Sequence, residues 1–80
     1  MKKRVRAAIE KAIALKGSEQ ALAEACDVTQ PAIWKAKTTG RISVELAMAI
    51  HRTTRGEVPA SEMRPDVWAL PEHVPVAVPA

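Results

Sequence analysis

Apolar side chains return along this chain with the period of a helix. Val5, Ala8, Ile9, Ala12 and Ile13 fall on one stripe, which predicts a first helix over about Lys3 to Lys16. Gly17 ends it, and Lys16 sits favourably at the negative end of the helix dipole. Leu22 and Ala23 set the inward face of a second helix, about Glu19 to Cys26, which Ser18 can cap by accepting a backbone N–H. The segment from Cys26 to Thr29 stops that helix, because Asp27 tolerates left-handed backbone and Val28 supplies an apolar plug. Thr29 can cap a third helix, about Gln30 to Thr38, whose opening turn holds Pro31 without harm.

Ile33 and Ala36 lie three apart on one face of that helix and point at its predecessor, leaving Gln30, Trp34, Lys35 and Lys37 to point away. Ala23 has to be small, since the two helices cross closely there. Gly40 can supply a left-handed turn, and Ser43 can cap a fourth helix, about Val44 to Thr54, with Leu46, Ala47 and Ile50 inward. Gly56 closes it, and Val58-Pro59 leads into a single turn around Ala60 to Met63. Pro65 forbids continuation, and Trp68 folds back to cap a small core or, alternatively, faces a partner. The predicted fold is all-α: a small bundle of four helices plus a short fifth, with the helix-turn-helix at its centre and an extended C-terminal tail. Residues 1–68 form the domain, and the Pro-rich residues 69–80 form a mobile tail whose Val74, Val76 and Val78 could instead lie along a neighbouring subunit.

Ser18 to Lys37, SEQALAEACDVTQPAIWKAK, resembles the helix-turn-helix of phage repressors and Cro proteins, a lambda-repressor-like fold. Gly40-Arg41-Ile42-Ser43 and Met63-Arg64-Pro65-Asp66-Val67-Trp68 extend the resemblance, over roughly residues 5 to 68, to Cro-like proteins of the YdaS type. Three positions depart from it. Asp27 stands where many relatives have glycine, and Glu19 where glutamine is frequent and reaches a phosphate, leaving that role to Gln20 or to helix N–H groups. Trp34 stands two positions before the tryptophan of relatives, which this chain replaces with Ala36.

Composition narrows the reading further. Eighty residues bury only about 60% of their unfolded surface, which argues against a large catalytic cleft. Twelve basic against nine acidic residues give a net charge of +3, and Lys2, Lys3, Arg4, Arg6, Lys11 and Lys16 crowd the start with only Glu10 opposing them. Such an arm either contacts phosphate or is a solvated helix face. The only aromatic residues are Trp34 and Trp68, so the core must be aliphatic. The lone Cys26 excludes an internal disulfide and reads as a small core residue.

No apolar run approaches the ~18 residues of a membrane span, so a cytoplasmic, nucleoid-associated protein of a bacterium or phage-infected cell is expected, without membrane contact. His51 is expected on the surface of the fourth helix, and neither it nor His73 has partners at metal-ligand spacing. Ser18, Ser43 and Ser61 stand where helix caps belong and not beside a base. No catalytic constellation, cofactor motif or metal site is therefore expected.

Recognition remains. Gln30 can offer its amide to adenine or a phosphate, while Lys35 can contact guanine or the backbone. Trp34 either meets a thymine methyl or a phosphate, or folds over the motif as core. The expected DNA-binding set is Gln20, Thr29, Gln30, Pro31, Trp34, Lys35, Lys37, Thr38, Thr39 and Arg41, with phosphate contacts from Lys2, Lys3 and Arg4. Resemblance to Cro implies a transcriptional repressor that binds a pseudo-palindromic double-stranded DNA operator as a homodimer. Resemblance to YdaS implies an antitoxin-like prophage regulator. A protein-interaction adaptor that uses Trp34 and the same helix is the alternative from another class.

Overall fold

Hydroxyl caps start three of the helices in the computed structural model, which describes residues 2–70, with side chains from residue 3 onward. The helices are α1 (Lys2–Lys16), α2 (Glu19–Cys26), α3 (Gln30–Thr39), α4 (Val44–Thr53) and α5 (Ala60–Met63). Ser18 Oγ accepts from the Ala21 N–H at 3.0 Å, Thr29 Oγ1 from Ala32 at 3.4 Å, and Ser43 Oγ from Leu46 at 3.1 Å. Each satisfies one of the N–H groups that a helix start leaves without an internal partner. The expected tail at 71–80, with its three valines, lies outside the described residues.

Left-handed residues do the stopping. Asp27 adopts φ 58 and ψ 44, its N–H reaching the Glu24 carbonyl at 3.2 Å while Val28 N–H reaches Ala23 at 2.9 Å. That pair of bonds is a Schellman cap, and it turns the chain sharply enough to lay α3 on α2. Gly40, at φ 69, ends α3 one residue later than the pattern suggested. At the end of α4 the closing residue is Arg55, at φ 55, and not Gly56 alone. Arg55 N–H bonds Arg52 O at 3.1 Å and Gly56 N–H bonds His51 O at 2.8 Å, a second Schellman cap. Helix α4 stops at Thr53 because the Thr54 hydroxyl donates to Ile50 O at 2.7 Å and accepts from Val58 N–H at 3.1 Å.

The core is the expected aliphatic one. Ile9 and Ala12 of α1, Leu22 of α2, Ile33 of α3, and Ala47 and Ile50 of α4 are fully enclosed, with Val58 and Met63 beneath them and Trp68 folded back over the edge. Helix α1 lies against α2, α3 and α5, while α4 lies against α2 and α5. Cys26 is buried in this core, where burial raises its thiol pKa despite a 3.8 Å contact with the Thr53 hydroxyl. None of the described helices is long and apolar enough to cross a membrane.

Two polar residues depart from their expected places. His51 is not on the surface: it is 4% exposed, and its Nδ1 accepts the Ala60 N–H at 3.1 Å. Pro59 precedes α5 and makes no side-chain cap, so the imidazole fills the role from another helix. Ser61, expected as a cap, is instead buried inside α5. The Arg64-Pro65-Asp66 segment forms a clasp. Arg64 donates through Nε and Nη2 to both oxygens of Asp66, at 3.1 and 2.9 Å, and through Nη1 to the Ile42 carbonyl at 3.0 Å. The guanidinium holds the Asp66 carboxyl below its ordinary range.

Two outcomes follow from this packing. Burial lowers the His51 pKa below 6.5, and the Ala60 bond needs the neutral ring. As pH falls through that value the unfolded chain takes up a proton that the folded chain resists, so stability drops on acidification. Urea midpoints at about pH 7.5 and about pH 5.5 should differ in the wild type, and differ less in His51→Asn, whose Oδ1 can accept the same N–H without titrating. Arg64→Ala should cost about 1 kcal/mol, chiefly through the lost Ile42 bond, since exposed ion pairs contribute little. An unchanged denaturation midpoint would show that the clasp does not hold the C-terminal segment.

Candidate nucleic-acid interface

The outer side of α3 is assembled by the two buried residues opposite to it. With Ile33 and Ala36 enclosed, Gln30, Pro31, Trp34, Lys35 and Thr38 are turned to solvent. Trp34 is 56% exposed and forms a shallow concavity with Gln30 and Pro31, so it is not part of the core. Helix α3 carries Lys35 and Lys37 and no acid, which leaves a positive surface beside a hydrogen-bonding amide and a flat ring.

Lys37 does not point away from α2. Its Nζ meets Glu19 Oε2 at 2.7 Å, and each side chain keeps only about a fifth of its exposure. The pair joins the start of α2 to the end of α3. The other Glu19 oxygen, Oε1, is buried without a hydrogen-bond partner among the described residues. Gln20, the substitute suggested for a phosphate contact, is exposed and donates to Glu24 at 3.4 Å.

The hydroxyls at the exit of α3 are engaged with their own helix. Thr38 Oγ1 donates to the Trp34 carbonyl, and Thr39 Oγ1 donates to Lys35 O at 2.7 Å while accepting the Arg41 N–H at 3.3 Å. Contact with a phosphate through either hydroxyl proton therefore requires rotation away from these bonds. Arg41 is exposed and shares with Lys35 the rim of a groove of about 660 Å³ between α3 and the start of α4, floored by Ala36, Ile42 and Leu46.

The start of α1 comes to this same exit. Lys3 and Arg6 line a small cleft with Lys37, Thr38, Thr39 and Gly40. Arg4 is exposed on α1 without lining that cleft, and of Lys2 only the backbone is described. Arg6 lines this cleft although the expected set did not include it. It belongs to the basic arm read from the sequence, and it is paired with Glu10, its i+4 neighbour, at 3.0 Å. The signal was present, because Lys3 and Arg6 are three apart and so share a helix face. Among the described residues, no three His, Cys, Asp or Glu side chains gather as a metal site would need.

The fold and this surface define a small helical bundle with a helix-turn-helix at its centre. Residues 9–71 match the family model described as bacterial toxin YdaS, and the chain belongs to that family. No curated protein and no solved structure matches it.

Proposed function

We propose that the protein is a sequence-specific double-stranded DNA binder that acts as a small Cro-type repressor, a binder and not an enzyme. One observation carries this reading: an acid-free recognition helix presents Gln30, Trp34 and Lys35 to solvent, and its exit is flanked by the cations of α1 and the following loop. Gln30 would pair its amide with adenine, Lys35 would reach guanine in the major groove, and Trp34 would lie against a thymine methyl. Arg41, Lys3 and Arg6 would hold phosphates and fix orientation. One helix reads few base pairs, so two copies would occupy half-sites about 34 Å apart on a pseudo-palindromic operator, excluding polymerase.

The family's description as a toxin is compatible with such a binder, which would arrest growth without catalysis if it occupied host promoters; the family is the YdaS type that the resemblance named, described as a toxin and not an antitoxin. An adaptor that receives a partner protein on Trp34 is the second reading, favoured by the exposure of that ring. Salt separates the two. Phosphate neutralisation makes affinity fall steeply with salt, whereas an apolar contact is much less sensitive.

After selection of a site from random duplex DNA, Gln30→Ala and Lys35→Ala should keep the fold. Each should weaken binding by about 1–3 kcal/mol and relax preference at one symmetric pair of positions. Arg41→Ala should weaken all sequences alike and lower the salt slope by about one unit. Unchanged affinity and base preference in both Gln30→Ala and Lys35→Ala would sink direct reading by α3. Glu19→Gln removes the acid that occupies Lys37, so it should tighten binding and steepen the salt slope by about one unit. A slope equal to wild type would place Lys37 away from phosphate.

A further inference from the structure

The outward face of α4 has the makings of a two-fold contact. Leu46, Ala47, Ile50 and His51 are buried, and the side directly opposite carries Glu45, Met48, Ala49 and Arg52 around a shallow groove of about 220 Å³. Met48 and Ala49 are half-buried at the centre of this face, while the two charged residues are exposed at either end. Neither Glu45 nor Arg52 has an ion-pair partner among the described residues. Arg64 lies within the field of Glu45 but gives its hydrogen bonds to Asp66 and to Ile42 O.

We propose that this face is where a second copy of the chain pairs, with the two α4 helices antiparallel. A two-fold axis passing between Met48 and Ala49 sets Glu45 of each copy against Arg52 of the other, and sets each Met48 against Ala49. Such a contact is self-complementary, as a closed dimer requires. Opposite charges meet at both ends, and a long flexible side chain faces a small one that lets the helix axes approach to about 8–10 Å. A parallel arrangement would instead set Glu45 beside Glu45 and Arg52 beside Arg52. The patch is also small. Four side chains on a ten-residue helix fall well short of the roughly 1,200–2,000 Å² of a stable complex. The pair is therefore weak in free solution and strengthened wherever two copies are held side by side. None of its residues belongs to α3.

This inference supplies the contact surface for the dimer proposed above, and its test uses no DNA, so its failure would leave DNA reading untouched. Self-association of the full chain is measured by sedimentation equilibrium up to about 1 mM, a range that captures weak pairs. Wild type should dimerise. Glu45→Arg and Arg52→Glu should each weaken association about tenfold, because each places like charges face to face at both ends. The double variant Glu45→Arg with Arg52→Glu restores complementarity and should associate as wild type does.

Folding artefacts predict the opposite order. The double variant puts the wrong charge at both ends of the α4 dipole, so a mere loss of stability would make it the weakest associator. Melting curves of all four proteins establish that they are folded under the conditions used. A wild type that is monomeric at about 1 mM, single variants that associate unchanged, or a double variant that fails to recover would each overturn the proposal.

Discussion

The packing of α3 on α2 is the constraint on which the rest depends. Helices of eight and ten residues are too short to persist alone in water, where roughly 12–15 residues are marginal. Helix α3 exists because Ile33 and Ala36 are enclosed against Leu22, Ala23 and the α1 stripe. Burial of that face leaves Gln30, Trp34 and Lys35 pointing outward together. The turn sets the angle. Asp27 in left-handed backbone costs on the order of 1 kcal/mol, offset by two cap bonds and by Val28 closing over the junction.

Electrostatics on the outer face of this pair is a compromise between fold and surface charge. The Glu19–Lys37 contact ties the ends of α2 and α3, but it removes one cation from the exposed set and leaves a carboxylate oxygen buried and unpartnered. Burying a charged atom without a hydrogen bond is costly, which offsets part of what the ion pair contributes to stability. Among the described residues the contact leaves Lys3, Lys35 and Arg41 as the exposed cations of this surface without an acidic partner, while Arg6 is paired with Glu10.

What was legible in the sequence follows from which forces are local. Ser18, Thr29 and Ser43 cap within three residues, and Asp27 and Gly40 turn the chain by their own backbone preferences, so helix bounds came out within a residue. The inward stripes were equally readable from period alone. Misplaced residues are those whose partners are distant in the chain: His51 caps α5 nine positions away, and Lys37 finds Glu19 eighteen positions back. Arg55 hid because a bulky residue in left-handed backbone is disfavoured unless its surroundings impose it, and Gly56 beside it drew the assignment. Trp34 was undecidable from spacing. Its place between core and surface rests on the pitch of α3, which Ile33 and Ala36 fix together.

The C-terminal motif bears on this surface at its edge, beside Arg41. Arg64 spans twenty-two positions to the Ile42 carbonyl, and Ile42 directly follows Arg41. The loop from Gly40 to Ser43 is tied at its ends by Gly40 N–H to the Ala36 carbonyl and by Ser43 capping α4, and at its middle by Ile42 buried beneath it and by the guanidinium bonded to the Ile42 carbonyl. Asp66 grips one edge of that guanidinium with both carboxylate oxygens, Pro65 fixes the bend between them, and Trp68 pins the segment to the core. Arg64 and Asp66 share a cleft with Gly40, Arg41 and Ile42, and the motif thereby fixes the backbone on which Arg41 stands, next to Lys35 at the rim of the α3–α4 groove.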